Sequence, residues 1–174
     1  MRRFRIFSAP LALVCVAVLL APAAHAGEKG QVVTMSQELE FAETSGASGK
    51  VQSECTLQTR LPQFIKDYAK GVKVVLAEEV SDSTEGKVLH VEIVNVVGTS
   101  GGAWSGAKSV TVKGELTEDG EVIGTFIASR YSGGGAFAGM KGTCSILGRC
   151  IKAIGSDIGK WLTKPTMDAA LGDA

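Results

Sequence analysis

Apolar and polar residues alternate along the first part of the chain, which is the pattern of a half-buried β-strand. Within residues 31–41 the alternating apolar positions are Val33, Met35, Leu39 and Phe41. A second apolar run, residues 72–79, predicts another strand, and polar residues 81–86 predict the turn that ends it. The sequence thus places one strand on each side of a segment of about thirty residues.

The middle of the chain predicts a three-stranded meander, with strands at residues 87–97, 107–116 and 121–132. The second strand alternates most regularly. Its apolar side carries Val110, Val112 and Leu116, and its polar side carries Ser109, Thr111, Lys113 and Glu115. The pair Asp119-Gly120 is typical of a tight hairpin turn. One face of the sheet is therefore expected to face water.

Two segments repeat their apolar residues at helical spacing. The first contains Leu57, Leu61, Phe64 and Tyr68, and the second contains Leu147, Ile151, Ile154, Ile158 and Trp161. Pro62 would end or kink a helix that began at Cys55, or would stand in the first turn of one over residues 61–70. Lys164-Pro165 ends the second helix, which presents a broad apolar face.

The order of these elements predicts an α+β fold. We expect a two-layer sandwich whose mostly antiparallel sheet of about five strands carries two helices on one face. A single domain over residues 27–164 would contain all of it, followed by a flexible tail at residues 165–174.

This order of elements resembles small bacterial envelope domains, such as those of curli-assembly lipoproteins and penicillin-binding-protein activators. The resemblance covers most of the chain after residue 26 and implies a role in assembly or regulation rather than catalysis. The chain departs from the pattern at residues 77–87, which are too few for the additional helix of those domains.

Residues 1–26 have the three parts of a cleaved export signal. A basic start is followed by an apolar run at residues 11–21 and by a small-x-small motif at residues 24–26. Pro22 interrupts the apolar run, so that it is too short to remain as a membrane anchor. We expect a periplasmic or secreted protein with no transmembrane segment after cleavage.

Composition narrows the classes of partner. The chain has 18 basic and 18 acidic residues, and the signal removes Arg2, Arg3 and Arg5 but no acid. The exported part therefore has an excess of three acidic residues, which argues against nucleic acid as a partner. A hydrophobic content of 45% is that of a globular domain with a core.

Three cysteines remain after the signal: Cys55, Cys144 and Cys150. An oxidising compartment favours one disulfide and one free thiol. We favour a Cys144–Cys150 bridge, with residues 144–149 as a loop before a helix that starts near Cys150. Bridges from Cys55 to either partner, and the absence of any bridge, stay open as alternatives. Zinc is not expected, because the three cysteines and His90 include no C-x-x-C pair.

The sequence contains no motif for a cofactor or a metal. The segment at residues 132–143 lies where a phosphate loop would lie, but Met140 and Gly142 interrupt the required Gly-Lys-Ser/Thr spacing. His90 and Glu92 share one face of a strand, so a small hydrolase using His90 is possible in principle. Two polar residues on the wet face are the simpler interpretation, and no catalytic residue is assigned.

The candidate binding surface follows from the topology of the meander. The ends of its first and third strands meet at one edge of the sheet, and both open into glycine-rich loops. The loop at residues 98–106 contains Trp104, and the loop at residues 133–142 contains Phe137 and Met140. Aromatic and Met side chains on loops are common in partner surfaces. The alternative is that Trp104 and Phe137 plug the open end of the core.

The sequence thus predicts an exported envelope accessory protein without enzymatic activity. It would bind an envelope or extracellular protein through Trp104, Phe137 and Met140. A hydrolase using His90 and a carrier of a small apolar ligand, held between helices and sheet, remain as alternatives.

Overall fold

The computed structural model describes residues 31–81, 84–98, 106–132 and 141–174. These residues form a mixed α/β fold with seven strands and three helices. In chain order the elements are β1 (Gln31–Ser36), β2 (Glu40–Phe41), α1 (Gly49–Cys55), α2 (Leu57–Tyr68), β3 (Val72–Ala77), β4 (Lys87–Val97), β5 (Lys108–Glu118), β6 (Glu121–Ser132), α3 (Thr143–Trp161) and β7 (Ala169–Gly172). None of the helices in these ranges is long and apolar enough to cross a membrane.

The sheet has the strand order β3-β1-β4-β5-β6-β7, with β2 beside β4. β1 is parallel to both β3 and β4, and β7 is parallel to β6, whereas β4, β5 and β6 form the predicted antiparallel meander. The expectation of about five mostly antiparallel strands is therefore confirmed only in part: the described residues form seven strands, and the long central pairs are antiparallel while the other pairs are parallel. Parallel pairs arise because α1 and α2 form a crossover between β1 and β3 and because α3 returns the chain to the β6 edge.

The predicted first strand is divided in two. The Ser36 hydroxyl donates to the Glu38 carbonyl oxygen at 2.6 Å, and the Glu38 N–H donates back to the Ser36 Oγ at 3.2 Å. This local turn ends β1, and the chain rejoins the sheet only at Glu40–Phe41.

The predicted first helix is also divided, which gives three helices rather than two. Thr56 adopts a left-handed conformation with φ 49° and separates α1 from α2. Pro62 lies inside α2 and lacks the N–H that would bond to the Gln58 carbonyl oxygen. The Leu39 N–H donates to that oxygen instead, at 3.1 Å, so the helix continues past the proline with the Gln58 carbonyl oxygen paired.

The core lies between one face of the sheet and the helices. Alternate residues of β1, β4 and β5 are fully buried there, among them Val33, Met35, Ile93, Val110, Val112 and Leu116. The α3 residues Ile151, Ile154 and Ile158 are fully buried in the same cluster. The opposite side of β5 carries Lys113 and Glu115, both exposed, as its alternation predicts.

The tail predicted to be flexible is instead paired with the sheet. Ala169 to Gly172 run parallel to Phe126–Ser129 of β6. The four-residue strand has no alternation of its own that would predict it. Its position depends on a partner strand about forty residues earlier in the chain, which sequence spacing does not reveal.

Candidate partner-binding site

The proposed contact residues Trp104, Phe137 and Met140 lie outside the residues that the structure describes. Their contacts therefore stay predictions. The described ends of both glycine-rich segments nevertheless locate the surface from which the segments extend.

Both segments leave the fold from one edge of the sheet. The first connects β4 to β5, and the second connects β6 to α3. Val97 pairs with Ser109, and Lys108 pairs with Ser132, so the end of β4, the start of β5 and the end of β6 lie side by side. The prediction that the ends of the first and third strands of the meander lie at the same edge of the sheet is thereby confirmed.

The start of the first segment and the end of the second segment also lie close together. Gly98 follows β4, and a Cβ at this position would lie 3.1 Å from Leu147 Cδ1, 3.4 Å from Val51 Cγ2 and 3.6 Å from Thr143 Cγ2. Thr143 is the first residue of α3. The first segment therefore begins where the second one ends, and the two are neighbours at both of their ends.

A disulfide fastens this edge. Cys55, the last residue of α1, is bonded to Cys144 in the first turn of α3, and their Cα atoms are 4.8 Å apart. The favoured Cys144–Cys150 bridge is wrong, because α3 is already helical at Thr143. Six helical residues rise about 9 Å, which is too far for a disulfide. One of the two alternatives that involve Cys55 is the one formed.

Cys150 is a free, buried thiol beneath the same edge. Its Sγ donates weakly to the Lys108 carbonyl oxygen at 3.7 Å. Burial raises the pKa of the Cys150 thiol, with a smaller opposing effect from the charge of Arg149. The Lys108 side chain is also fully buried. The end of the sheet formed by Val97, Lys108 and Ser132, the loop-bearing edge, is thus closely packed at its base.

The open face of the sheet holds the second candidate site. His90 and Glu92 lie on this face, as predicted, and both line a groove of about 1070 Å³. Glu92 forms an ion pair with Lys113, with 2.7 Å between Oε2 and Nζ. The hydrolase hypothesis needs the Glu92 carboxylate to act with His90, but this carboxylate is paired with Lys113. On β5, the residue opposite His90 is Glu115.

The apolar face of α3, which suggested a carrier of a small ligand, is covered by other parts of the fold. Its residues Leu147, Ile151 and Ile154 are fully buried against the sheet and α2. Across the described ranges, no three His, Cys, Asp or Glu side chains are grouped so that they could hold a metal ion.

One cluster was not predicted from the sequence. Arg130 at the end of β6 contacts Asp157 of α3 through Nε at 2.9 Å and Nη2 at 2.8 Å, and it contacts Asp173 through Nη1 at 3.1 Å. Hydrogen bonding to Asp157, opposed by burial, raises the pKa of Arg130 above its ordinary value. The three residues are 16 to 43 positions apart in the sequence, so no local motif predicts that they meet.

No family model and no curated protein sequence matches this chain. Among solved structures, the PelC dodecamer from Paraburkholderia phytofirmans is 15% identical, with a TM-score of 0.45, over 73% of this chain and 86% of PelC. A substituted form of that PelC is 14% identical, with a TM-score of 0.46, over 75% and 88% of the two chains. A DUF330 protein from Xanthomonas campestris is 11% identical, with a TM-score of 0.41, over 76% and 83%. Likenesses this distant assign no function.

Proposed function

We propose that this protein is a non-enzymatic accessory protein of the bacterial envelope, periplasmic or secreted, that binds a protein partner through its loop-bearing edge. The observation that carries the proposal is the adjacency of the two glycine-rich segments at both of their ends. Two neighbouring connections at one edge of a sheet are a common location for a binding surface.

The Cys55–Cys144 disulfide supports both parts of the proposal. Structural disulfides persist in oxidising compartments outside the cytoplasm, in keeping with the export signal. The bond also holds Cys144, just after the second glycine-rich segment, against the end of α1. A fixed base reduces the conformational entropy that two loops lose when they bind.

The loops carry suitable side chains for such a surface. Trp104 and Phe137 offer large apolar rings, and Met140 offers a flexible thioether that adapts to a partner. A few residues of these types supply most of the binding energy in protein interfaces.

The test is photo-cross-linking in the native envelope. A photoreactive amino acid replaces Phe137 in one protein and Val122 in another. Val122 is 40% exposed and lies at the opposite end of β6, which makes it a matched control. We expect one discrete cross-linked protein at position 137 and none at position 122. Adding Trp104→Ala should remove the cross-link and leave the melting temperature unchanged.

Two results would contradict the proposal. The absence of a discrete product at position 137 would exclude this edge as the binding surface. A Trp104→Ala variant that melts several degrees lower would show instead that the indole plugs the core.

A further inference from the structure

Strand β7 pairs with β6 along its four residues, and side-chain hydrogen bonds fasten it at both ends. At the start, the Asp168 N–H donates to the Thr125 Oγ1 at 2.8 Å, and that hydroxyl contacts the Asp168 Oδ1 at 3.2 Å. At the end, the Asp173 carboxylate accepts from Arg130 at 3.1 Å and from the Tyr131 N–H at 3.2 Å. The Asp173 N–H donates to the Ser129 carbonyl oxygen at 2.8 Å.

Between these two fastenings, β7 buries little apolar surface. Ala169 and Leu171 are half-buried against the core, while Ala170 and Gly172 are exposed. β5 and β6, by comparison, pair along almost their whole length of 11 and 12 residues. Short elements with few buried contacts have the lowest free energies of local opening, so β7 can detach while the rest of the sheet stays folded.

The fastening at Asp173 depends on the residue before it. Gly172 has φ 76°, and a Cβ there would overlap the Ser129 carbonyl oxygen and lie 2.7 Å from Arg130 Nε. Only glycine combines this conformation with this close approach. A single methyl group at position 172 would therefore force β7 and the Arg130 side chain apart without removing any charged group.

The β6 edge under β7 has a defined chemistry. It presents the backbone groups of Phe126–Ser129 to a parallel strand. Beyond them, Arg130 is held by Asp157 and still binds a second carboxylate, that of Asp173. The segment that fits this edge has a small residue, an aliphatic residue two positions later, then Gly and an acidic residue, as in residues 169–173.

We propose that β7 is a detachable strand and that the β6 edge beneath it is a docking site for an extended partner segment of this pattern, which takes the place of β7. Strand addition of this kind uses backbone hydrogen bonds for affinity and side-chain positions for specificity. The inference rests on the proposed function only in assuming that a protein partner exists. It concerns a different surface from the loops.

Hydrogen exchange in the full chain tests the detachment. Asp173→Ala removes the carboxylate, and Gly172→Ala displaces the strand. Glu121→Ala, which removes an exposed acid at the other end of β6, is the control. We expect amides of residues 169–173 to exchange at least tenfold faster in the first two variants. Exchange in β5 should match the wild type and the control. Unchanged exchange in residues 169–173, or an equal increase throughout the sheet, would overturn the proposal.

A peptide with the sequence of residues 166–174 tests the docking site. We expect it to bind the Asp173→Ala protein at least tenfold more tightly than the wild type, in which the tethered β7 competes at high effective concentration. A scrambled peptide should bind neither protein. If exchange shows detachment but the peptide binds no variant, the docking site is refuted. The loop-bearing edge, tested separately at position 137, is unaffected by that result.

Discussion

Phe64 of α2 packs directly on Gly155 of α3. A Cβ at position 155 would lie 2.6 Å from the Phe64 Cβ and 3.0 Å from its carbonyl carbon. One turn later, a Cβ at Gly159 would lie 2.8 Å from the Tyr68 carbonyl carbon. Two glycines on one face of α3 therefore allow the backbone of α2 to approach this closely.

Gly155→Ala should destabilise the protein because the added methyl group meets backbone atoms of α2, which cannot rotate away. We expect the free energy of unfolding, measured by urea denaturation, to fall by about 1–3 kcal/mol. Gly49→Ala is the matched control: a Cβ at Gly49 has nothing within 4 Å. This second substitution should leave the stability unchanged or raise it slightly. Equal effects of the two substitutions would contradict the close packing.

Gly114 and Phe126 form a second close pair. They are opposite each other on β5 and β6, and a Cβ at Gly114 would overlap the Phe126 ring. The ring cannot shift outward, because it packs edge-to-face on Trp161 with centroids 4.8 Å apart.

Gly114→Ala should therefore cost about 1–3 kcal/mol of stability. The cost should be smaller in a Phe126→Leu background, where the side chain is smaller, so the double variant should be more stable than the sum of the single effects predicts. Urea denaturation of all four proteins gives the coupling free energy. Strict additivity would show that the ring does not fill the space above Gly114.

Removing the Cys55–Cys144 disulfide should lower the free energy of unfolding by about 2–5 kcal/mol, since the bond closes a long loop in the unfolded chain. The double variant Cys55→Ala/Cys144→Ala tests this, with Cys150→Ala as the control that leaves the bond intact. Peptide mapping without reduction should identify the Cys55–Cys144 pair. A Cys144–Cys150 peptide in that map would contradict the structure.

Cys150 should make stability depend on alkaline pH. Burial raises the pKa of its thiol, so between the unfolded and folded pKa values the unfolded chain has lost the proton that the folded protein keeps. Stability from this residue is therefore complete below the unfolded pKa and decreases as the pH rises above about 9. In urea denaturation at several alkaline pH values, the decrease should be smaller in Cys150→Ala. Parallel pH profiles of the two proteins would contradict this.

Sequence periodicity predicted the elements that carry their own signal. The three long strands and the Asp119-Gly120 hairpin, with φ 51° and 85°, are present close to their predicted limits. The last helix is also present, although it begins at Thr143 rather than near Cys150. Each depends on alternation, helical spacing or turn chemistry within a dozen neighbouring residues. The shared edge of the two loops was also predictable, since an antiparallel meander fixes which strand ends meet.

Elements that depend on distant partners were not predictable. Pro62 is tolerated in α2 because Leu39 supplies the missing hydrogen bond, and Cys144 bonds to Cys55 because α3 begins early enough to carry it beside α1. β7 exists because β6 and Arg130 receive it. Tertiary contacts therefore determine the continuous helix at Pro62, the disulfide pairing and the formation of β7.

The sequence by itself determined the meander, the water-exposed face of the sheet and the edge at which the glycine-rich segments start, because local periodicity and turn chemistry act over short distances along the chain. Only the tertiary structure decided the parallel pairings, the third helix, the disulfide and the strand at residues 169–172. Each of these features requires two segments far apart in sequence to meet in space. The free energy that stabilises it comes from the contact between the two segments, so neither segment predicts it alone.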